Sequence, residues 1–539
     1  MTSATAPGRA RAGLIRLGLV LLSAALMVLA NPKPQLWPLA LVALVPALFA
    51  LRERTGFAAF GWGWLLGLLC NIAGQSWATT VLMRFGKLTF VSAALVLVAV
   101  SAYQGLVFAL WAWATQTLTT RTRLPLLFSA AAAMVAAELA IPFLMPWTLA
   151  LLVTPCWPAI QVAELCGSWA VTFLLVLFNA AVFVILDARL AGRALPRRVL
   201  AAAGGLIVLA LGFGLIRGAQ VTRATARAPK LRVGLVQPNF GITTRGVRSA
   251  QWPQMVDVLR RESTLAEAKG AQLVIWPESA WPLPVDRSLG ADYPAGHPWQ
   301  LRRGLTVPLL AGVLTADFSS EQQPMHNSAW LLGQDGRGLG RYDKNFLMPF
   351  GEYVPLAARY PDWRASVRAR MTEADELMRG REPAVLTVGP ARLGPMICYE
   401  DILAGYVWRV ARLQPNLLVT LSNVAWFGDS AEPYQQLLLA QLRAVEHRRE
   451  FLRATNTGVS AHVDALGRVR ARTVVTDPPP TRFGVAPELL VADAALLDTG
   501  RTLYGRIGDL FAWLCAAVVL LGLALALLGR PARLARAPE

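Results

Sequence analysis

Histidine, cysteine and acidic residues are all scarce in this chain, and each scarcity excludes something. The four histidines, His297, His326, His447 and His462, show no metal-ligand spacing, and the HExxH, CxxC and GxSxG patterns are absent. No metal centre and no cofactor are therefore expected. Acidic side chains number 33 against 52 Lys and Arg, a net charge of +19. That excess does not mark a nucleic-acid protein. No basic–aromatic module is present, and many of the arginines sit in short loops beside apolar runs, where they act as topology signals. Of five cysteines, Cys70, Cys156, Cys166 and Cys515 lie in or beside apolar segments. Cys398 stands alone in the polar part, so no disulfide can form within that part.

What the chain has in abundance is apolar sequence. Hydrophobic residues make up 55% of the 539, more than an ordinary soluble domain holds. They crowd into residues 12–217 and 508–529. The pattern predicts spans near 12–30, 36–52, 57–83, 88–118, 124–146, 168–187, 198–217 and 508–529, about eight in all. The first run has the arginine-then-apolar look of a signal peptide, but the runs that follow make it a first span. Arg52 and Arg54, Arg121 and Arg123, and Arg189 to Arg198 fall in alternate loops, on the side of the N-terminal arginines and the tail arginines Arg530, Arg533 and Arg536. Arg84 and Lys87 are the exception. The positive-inside rule then puts these loops in the cytoplasm and the large polar part outside it. The organisation expected is a bundle over 1–217, a linker over 218–229, a domain over 230–500, a last span over 508–529 and a cytoplasmic tail over 530–539. Pro155 and Pro158 interrupt Trp147–Gly167, which reads as either a re-entrant element or an outer loop. Eight spans exceed what an anchor needs. They imply a lipid-accessible space or a transporter, and few charges fall mid-span. Glu138 is one intramembrane acid, read as a structural group facing the bundle.

The polar part alternates strands and helices. Leu231–Gln237, Leu273–Trp276, Val307–Leu314 and Leu417–Leu421 read as strands. Met255–Lys269, Asp401–Leu413 and Tyr434–Arg453 read as helices. Hairpins are expected around Gln334-Asp335-Gly336, Gly389-Pro390 and Ala465-Leu466-Gly467. Because several neighbouring strands are hairpins, the fold class is a mixed-sheet α/β sandwich.

Three chemically able residues stand at strand ends, where sites in α/β sheets collect. Glu278 follows Pro277, Lys344 follows Tyr342-Asp343, and Cys398 closes the apolar run Pro395-Met396-Ile397. A thiol acts as thiolate and needs a base or a cationic neighbour. Glu278 has the chemistry to take the proton, and Lys344 to stabilise the thiolate and an oxyanion. The Tyr399 backbone N–H, at the start of the next turn, has the chemistry of a second oxyanion donor. Singly, each residue also has an ordinary structural reading: a buried cysteine, a turn glutamate, a solvated lysine.

The joint context resembles the nitrilase, or carbon–nitrogen hydrolase, superfamily, whose Glu–Lys–Cys triad runs in this order at strand ends. Val274-Ile275-Trp276-Pro277-Glu278-Ser279, Tyr342-Asp343-Lys344 and Ile397-Cys398-Tyr399-Glu400-Asp401 look like its three motifs. With the spans added, the whole chain is similar to the bacterial apolipoprotein N-acyltransferase family. The runs Lys344–Pro355 and Ser422–Ser430 carry that likeness, although Val424 stands where Asp is frequent. The resemblance implies a polytopic α-helical membrane bundle with an extracytoplasmic nitrilase-like domain, in a bacterial inner membrane with that domain facing the periplasm. It implies Glu352 as a second essential acid, and Tyr399, Glu400, Asn327, Trp426 and Trp252 as supporting or substrate-binding residues. Pro253 after Trp252 departs from the family pattern. It further implies acyl transfer through a Cys398 thioester, from a phospholipid such as phosphatidylethanolamine to a diacylglyceryl-apolipoprotein. A monomer is expected. The competing readings are a membrane-tethered amidase or nitrilase, in which water is the acceptor, and a transporter or scaffold with a degenerate domain. The intact Glu278, Lys344 and Cys398 argue against the latter.

Overall fold

A helix satisfies its own backbone N–H and C=O groups, which lipid demands of anything that spans it. The computed structural model describes residues 6–143, 145–242, 245–370, 376–478 and 485–528. Among these residues, six helical stretches are long and apolar enough to cross a membrane: Ala10–Ala30, Gly56–Gly74, Phe90–Arg121, Ser168–Leu190, Arg197–Arg227 and Leu510–Leu528. Trp37–Leu51 and Leu126–Ala140 are apolar but shorter. The tail read at 530–539 lies outside the described residues.

The chain divides into two units. One comprises the chain up to Ser76, Val91–Gly218 and the chain from Arg506 onward; the other comprises Trp77–Phe90 and Ala219–Gly505. Two expectations change here. The run 57–83 is not one helix: it ends at Gly74, and a separate helix Trp77–Arg84 belongs to the second unit. Residues 218–227, read as linker, continue the helix Arg197–Arg227.

In the first unit, helix Gly56–Gly74 meets helix Leu106–Arg121 closely enough that a Cβ at Gly63 would lie 2.3 Å from the Phe108 carbonyl oxygen. Glu138 faces the bundle, as its sequence context predicts. It accepts hydrogen bonds from Thr148 Oγ1 (2.9 Å), Thr172 Oγ1 (3.1 Å) and Leu149 N (2.8 Å). It thereby fixes the start of a buried turn, Leu149–Val153. The Pro-interrupted stretch 147–167 is thus a set of short helical turns folded into this unit.

The second unit is built on two sheets. Its strands are β1 (Lys230–Gln237), β2 (Leu273–Ile275), β3 (Val285–Asp286), β4 (Leu309–Ala316), β5 (Met325–Leu332) and β6 (Gly338–Asp343). They continue with β7 (Leu386–Val388), β8 (Ala391–Ile397), β9 (Leu417–Ser422), β10 (Glu450–Thr455), β11 (Ala461–Val463), β12 (Val469–Arg472) and β13 (Glu488–Ala495). One sheet runs β13-β1-β2-β4-β5-β6, with β3 on β4; the other runs β12-β11-β10-β9-β8-β7. Side chains alternate faces along a strand. Leu231, Val233 and Leu235 of β1, with Leu273 and Ile275 of β2, therefore enter a core shared with β8, β9 and β10. Val236, Val274 and Trp276 point the other way, into a layer containing Met255, Val256 and Leu259 of helix Arg245–Ala268. The mixed-sheet sandwich is the expected one.

Three details differ from expectation. The helix read over Tyr434–Arg453 spans Glu432–His447 and stops where Arg448 adopts a left-handed φ of 51°. Glu450–Thr455 then pairs in parallel with Leu417–Ser422. The helix read over Asp401–Leu413 is a tight turn, Cys398–Ile402, followed by a helix Ala404–Arg412. Strand β13, antiparallel to the whole of β1, was not expected.

Candidate active site

The loop after β2 carries Glu278. Trp276 donates its backbone N–H to the Leu310 carbonyl (2.9 Å), which holds the chain against β4 past the strand's end. Its ring stacks on Trp281 at 5.8 Å. Between these anchors, Ser279 takes a left-handed φ of 46°. The turn lies so close to β4 that a Cβ at Gly312 would come within 1.9 Å of the Pro277 carbonyl oxygen. Only glycine fits there.

Lys344 follows β6. Its backbone N–H bonds the Asn327 carbonyl (2.8 Å), and its own carbonyl accepts from Gly380 N (2.8 Å). Its ammonium, 1% exposed, sits 2.9 Å from Glu278 Oε1 and 2.9 Å from Glu352 Oε1. Asn327 Nδ2 donates to the same two oxygens, at 2.8 and 3.1 Å. The outer oxygens accept from backbone: Glu278 Oε2 from Asn423 N (2.8 Å), and Glu352 Oε2 from Met348 N (2.7 Å). Both carboxylates are therefore fixed at each oxygen by a donor. Buried charges persist when paired and hydrogen-bonded in this way.

Cys398 stands beside this cluster, partly exposed, at a left-handed φ of 58°. Burial raises its thiol pKa above the ordinary value; Glu278 raises it further, by its charge and by a hydrogen bond, against the lowering effect of Lys344. The resting group is thus a thiol in contact with Glu278. Lys344 is pushed the other way. Burial opposes its charge, but Cys398, Glu278 and Glu352 together hold its pKa well above normal. The ring of Tyr399 lies 6.0 Å from the lysine ammonium.

Glu400, fully buried, works on the backbone instead. Oε1 accepts from Asn345 N (2.7 Å) and Phe346 N (2.9 Å), while Oε2 accepts from Ile397 N (2.8 Å) and Tyr342 OH (2.6 Å). It ties the chain after Lys344 to the end of β8. Tyr399 adds a bond from its hydroxyl to the Leu347 carbonyl (3.2 Å). The two residues after the cysteine thus hold the segment that carries Lys344.

Both parts of the chain match known families. Residues 23–181 match the family model described as apolipoprotein N-acyltransferase N-terminal domain, and residues 232–474 match carbon–nitrogen hydrolase. A relative from Geobacter metallireducens named apolipoprotein N-acyltransferase is 30% identical over 506 residues, covering 93% of each chain. The chain belongs to the apolipoprotein N-acyltransferase family. A relative of the same name from Azotobacter vinelandii is 33% identical over 84% of this chain and 86% of its own. Among solved structures, an amidase of the nitrilase superfamily from Nesterenkonia AN1 covers 53% of this chain and 97% of its own, at 19% identity and a TM-score of 0.36.

Of the residues singled out in this family member's sequence, Glu278, Lys344, Glu352, Asn327, Cys398, Tyr399 and Glu400 come together. Trp426 lies in the loop that starts at Asn423. Its ring meets Phe85 edge-on at 4.7 Å, and neighbouring Phe427 meets Trp77 at 5.3 Å. These aromatics pack on the segment Trp77–Phe90, which the sequence divides between the end of one span, the loop holding Arg84 and Lys87, and the start of the next. Trp252 packs against the outer core layer, and no hydrogen bond joins it to the cluster among the described residues. Sequence reasoning missed the backbone donors Asn423 and Met348. It also missed Asn456, whose Nδ2 holds Asn423 Oδ1 at 3.0 Å. Asn423 lies within a run already singled out, so that run held the signal.

Proposed function

We propose that this protein moves an acyl chain from a membrane phospholipid, through a thioester on Cys398, to the N-terminal amine of a diacylglyceryl-apolipoprotein. The observation that carries this is the meeting of Cys398 with Glu278 and Lys344 in a chain with apolar helices of membrane-crossing length. Glu278 takes the thiol proton as Sγ attacks the ester carbonyl carbon. Lys344 and the Tyr399 backbone N–H carry the oxyanion charge. The C–O bond breaks, and the lysophospholipid leaves with the proton from Glu278. The acceptor amine then attacks the thioester carbon, Glu278 takes a proton from the amine, and the sulfur leaves to recover it.

In this reading the donor is phosphatidylethanolamine and the chain is the sn-1 chain. The protein works as a monomer in a bacterial inner membrane, with residues 230–500 on the periplasmic side. The arginine-bearing loops support that orientation. The two shorter apolar helices supply the remaining crossings of an eight-span arrangement. The test uses the full chain in phospholipid vesicles with a labelled diacylglyceryl peptide. The expected product is the N-acylated peptide, absent with Cys398→Ala. Free fatty acid as the sole product would identify a hydrolase instead.

A further inference from the structure

A second set of buried charges lies behind Cys398, outside the cluster described above. Asp401 is in the turn that begins at Cys398 and is 0% exposed; Arg453, on β10, is 1% exposed. Arg453 forms an ion pair with Asp401 Oδ2. Its Nη2 donates to Gln436 Oε1 at 2.9 Å, and Gln436 in turn bonds Glu432. The register explains the placement. Met396, two residues before Cys398, pairs with Thr420 on β9, and Thr420 pairs with Arg453 on β10. The guanidinium thus reaches the nucleophile's turn across two strands of one sheet.

This pair is not optimised for stability. Asp401 Oδ1 and Arg453 Nε have no hydrogen-bond partner among the described residues. Apolar replacements of a buried ion pair are often neutral or stabilising, so a half-satisfied pair calls for another explanation. The turn it anchors has such a need. Cys398 holds a left-handed φ that persists only where surrounding structure over-determines it. Glu400 secures one side of that turn, through Ile397 N and the segment after Lys344. Asp401 is its other hold.

We propose that Arg453 is a positioning residue for acyl transfer: through Asp401 it locks the turn that aims Cys398. The inference rests on Cys398 being the acylated nucleophile.

The test removes both charges at once, in Asp401→Leu/Arg453→Met, so that neither is left buried alone. The rate of acyl-adduct formation on Cys398 is measured against phospholipid concentration, with Tm read in parallel. The expected result is a folded protein whose saturating acylation rate falls about a hundredfold at unchanged KM, with Arg453→Lys recovering part of the loss. A folded double variant with the wild-type saturating rate overturns the proposal. If the double variant does not fold, Arg453→Lys decides: a slowed rate at unchanged KM supports the role, and a wild-type rate overturns it. Absence of any adduct on wild-type Cys398 is a separate outcome that overturns the nucleophile reading and this one together.

Discussion

At Cys398 the backbone turns through a φ of 58°, a conformation that costs a residue with a Cβ roughly 1–2 kcal/mol. The cost is met by fixed neighbours: Glu400 on the backbone, Asp401 on Arg453, and Tyr399 on Leu347. Lys344 is the residue on which the charges balance, since Glu278 and Glu352 both lie 2.9 Å from it. Lys344→Met should lower kcat/KM by about 10²–10³, as loss of an oxyanion donor does. It should also lower Tm, because breaking a buried pair costs about 3–5 kcal/mol. Steady-state kinetics and thermal melts check both; wild-type Tm with lost activity would mean the carboxylates do not depend on the lysine. Glu432 offers a pH test. Burial raises its pKa from 4.5 to about 8. The folded state therefore binds its proton more tightly than the unfolded one. Its contribution to stability is complete below pH 4.5 and is lost as pH rises through about 8, several kcal/mol at roughly 1.4 kcal/mol per unit. The Tm of wild type should fall relative to that of Glu432→Gln as pH rises over that window. Parallel curves would contradict it.

Elements deliver these residues to one place, and strand ends do most of it. Glu278 follows β2, Lys344 follows β6 and Cys398 follows β8. The Glu278 turn depends on β4 having no side chain at Gly312. Gly312→Ala should cost about 1–3 kcal/mol through overpacking and displace Glu278, so activity should fall more than Tm alone accounts for. Unchanged kinetics in this variant would show that the turn tolerates the shift. The three strand ends were legible in the sequence: Trp-Pro-Glu and Cys-Tyr-Glu each close a short apolar run, and Tyr-Asp-Lys ends the strand set off by the Gln334-Asp335-Gly336 turn. What was not legible depends on distant partners. Glu450–Thr455 reads as a continuation of the preceding helix, and only its parallel ladder with Leu417–Ser422 makes it a strand. Strand β13 is defined by pairing with β1 from the other end of the domain. The Arg453–Asp401 pair follows from that same ladder, so no local pattern announced it. Backbone donors such as Asn423 N are not announced by their own side chains; the run Ser422–Ser430 marked the segment but not the role.

The whole molecule joins helices long and apolar enough for a membrane to a domain of the carbon–nitrogen hydrolase family. The proposed periplasmic placement of residues 230–500, argued from the arginine distribution, is open to labelling. In intact cells, a membrane-impermeant thiol reagent should modify a cysteine introduced at the exposed Leu339 and spare one introduced at Arg193. The reverse pattern would invert the topology. The chemistry itself is tested most directly on the sulfur. The full-length protein, incubated in vesicles of acyl-labelled phosphatidylethanolamine without acceptor, is digested and the Cys398 peptide weighed by mass spectrometry. The expected result is one acyl chain on Cys398, removed by hydroxylamine and discharged on adding a diacylglyceryl peptide. A Cys398 peptide that stays unmodified while acyl transfer proceeds would contradict the thioester mechanism.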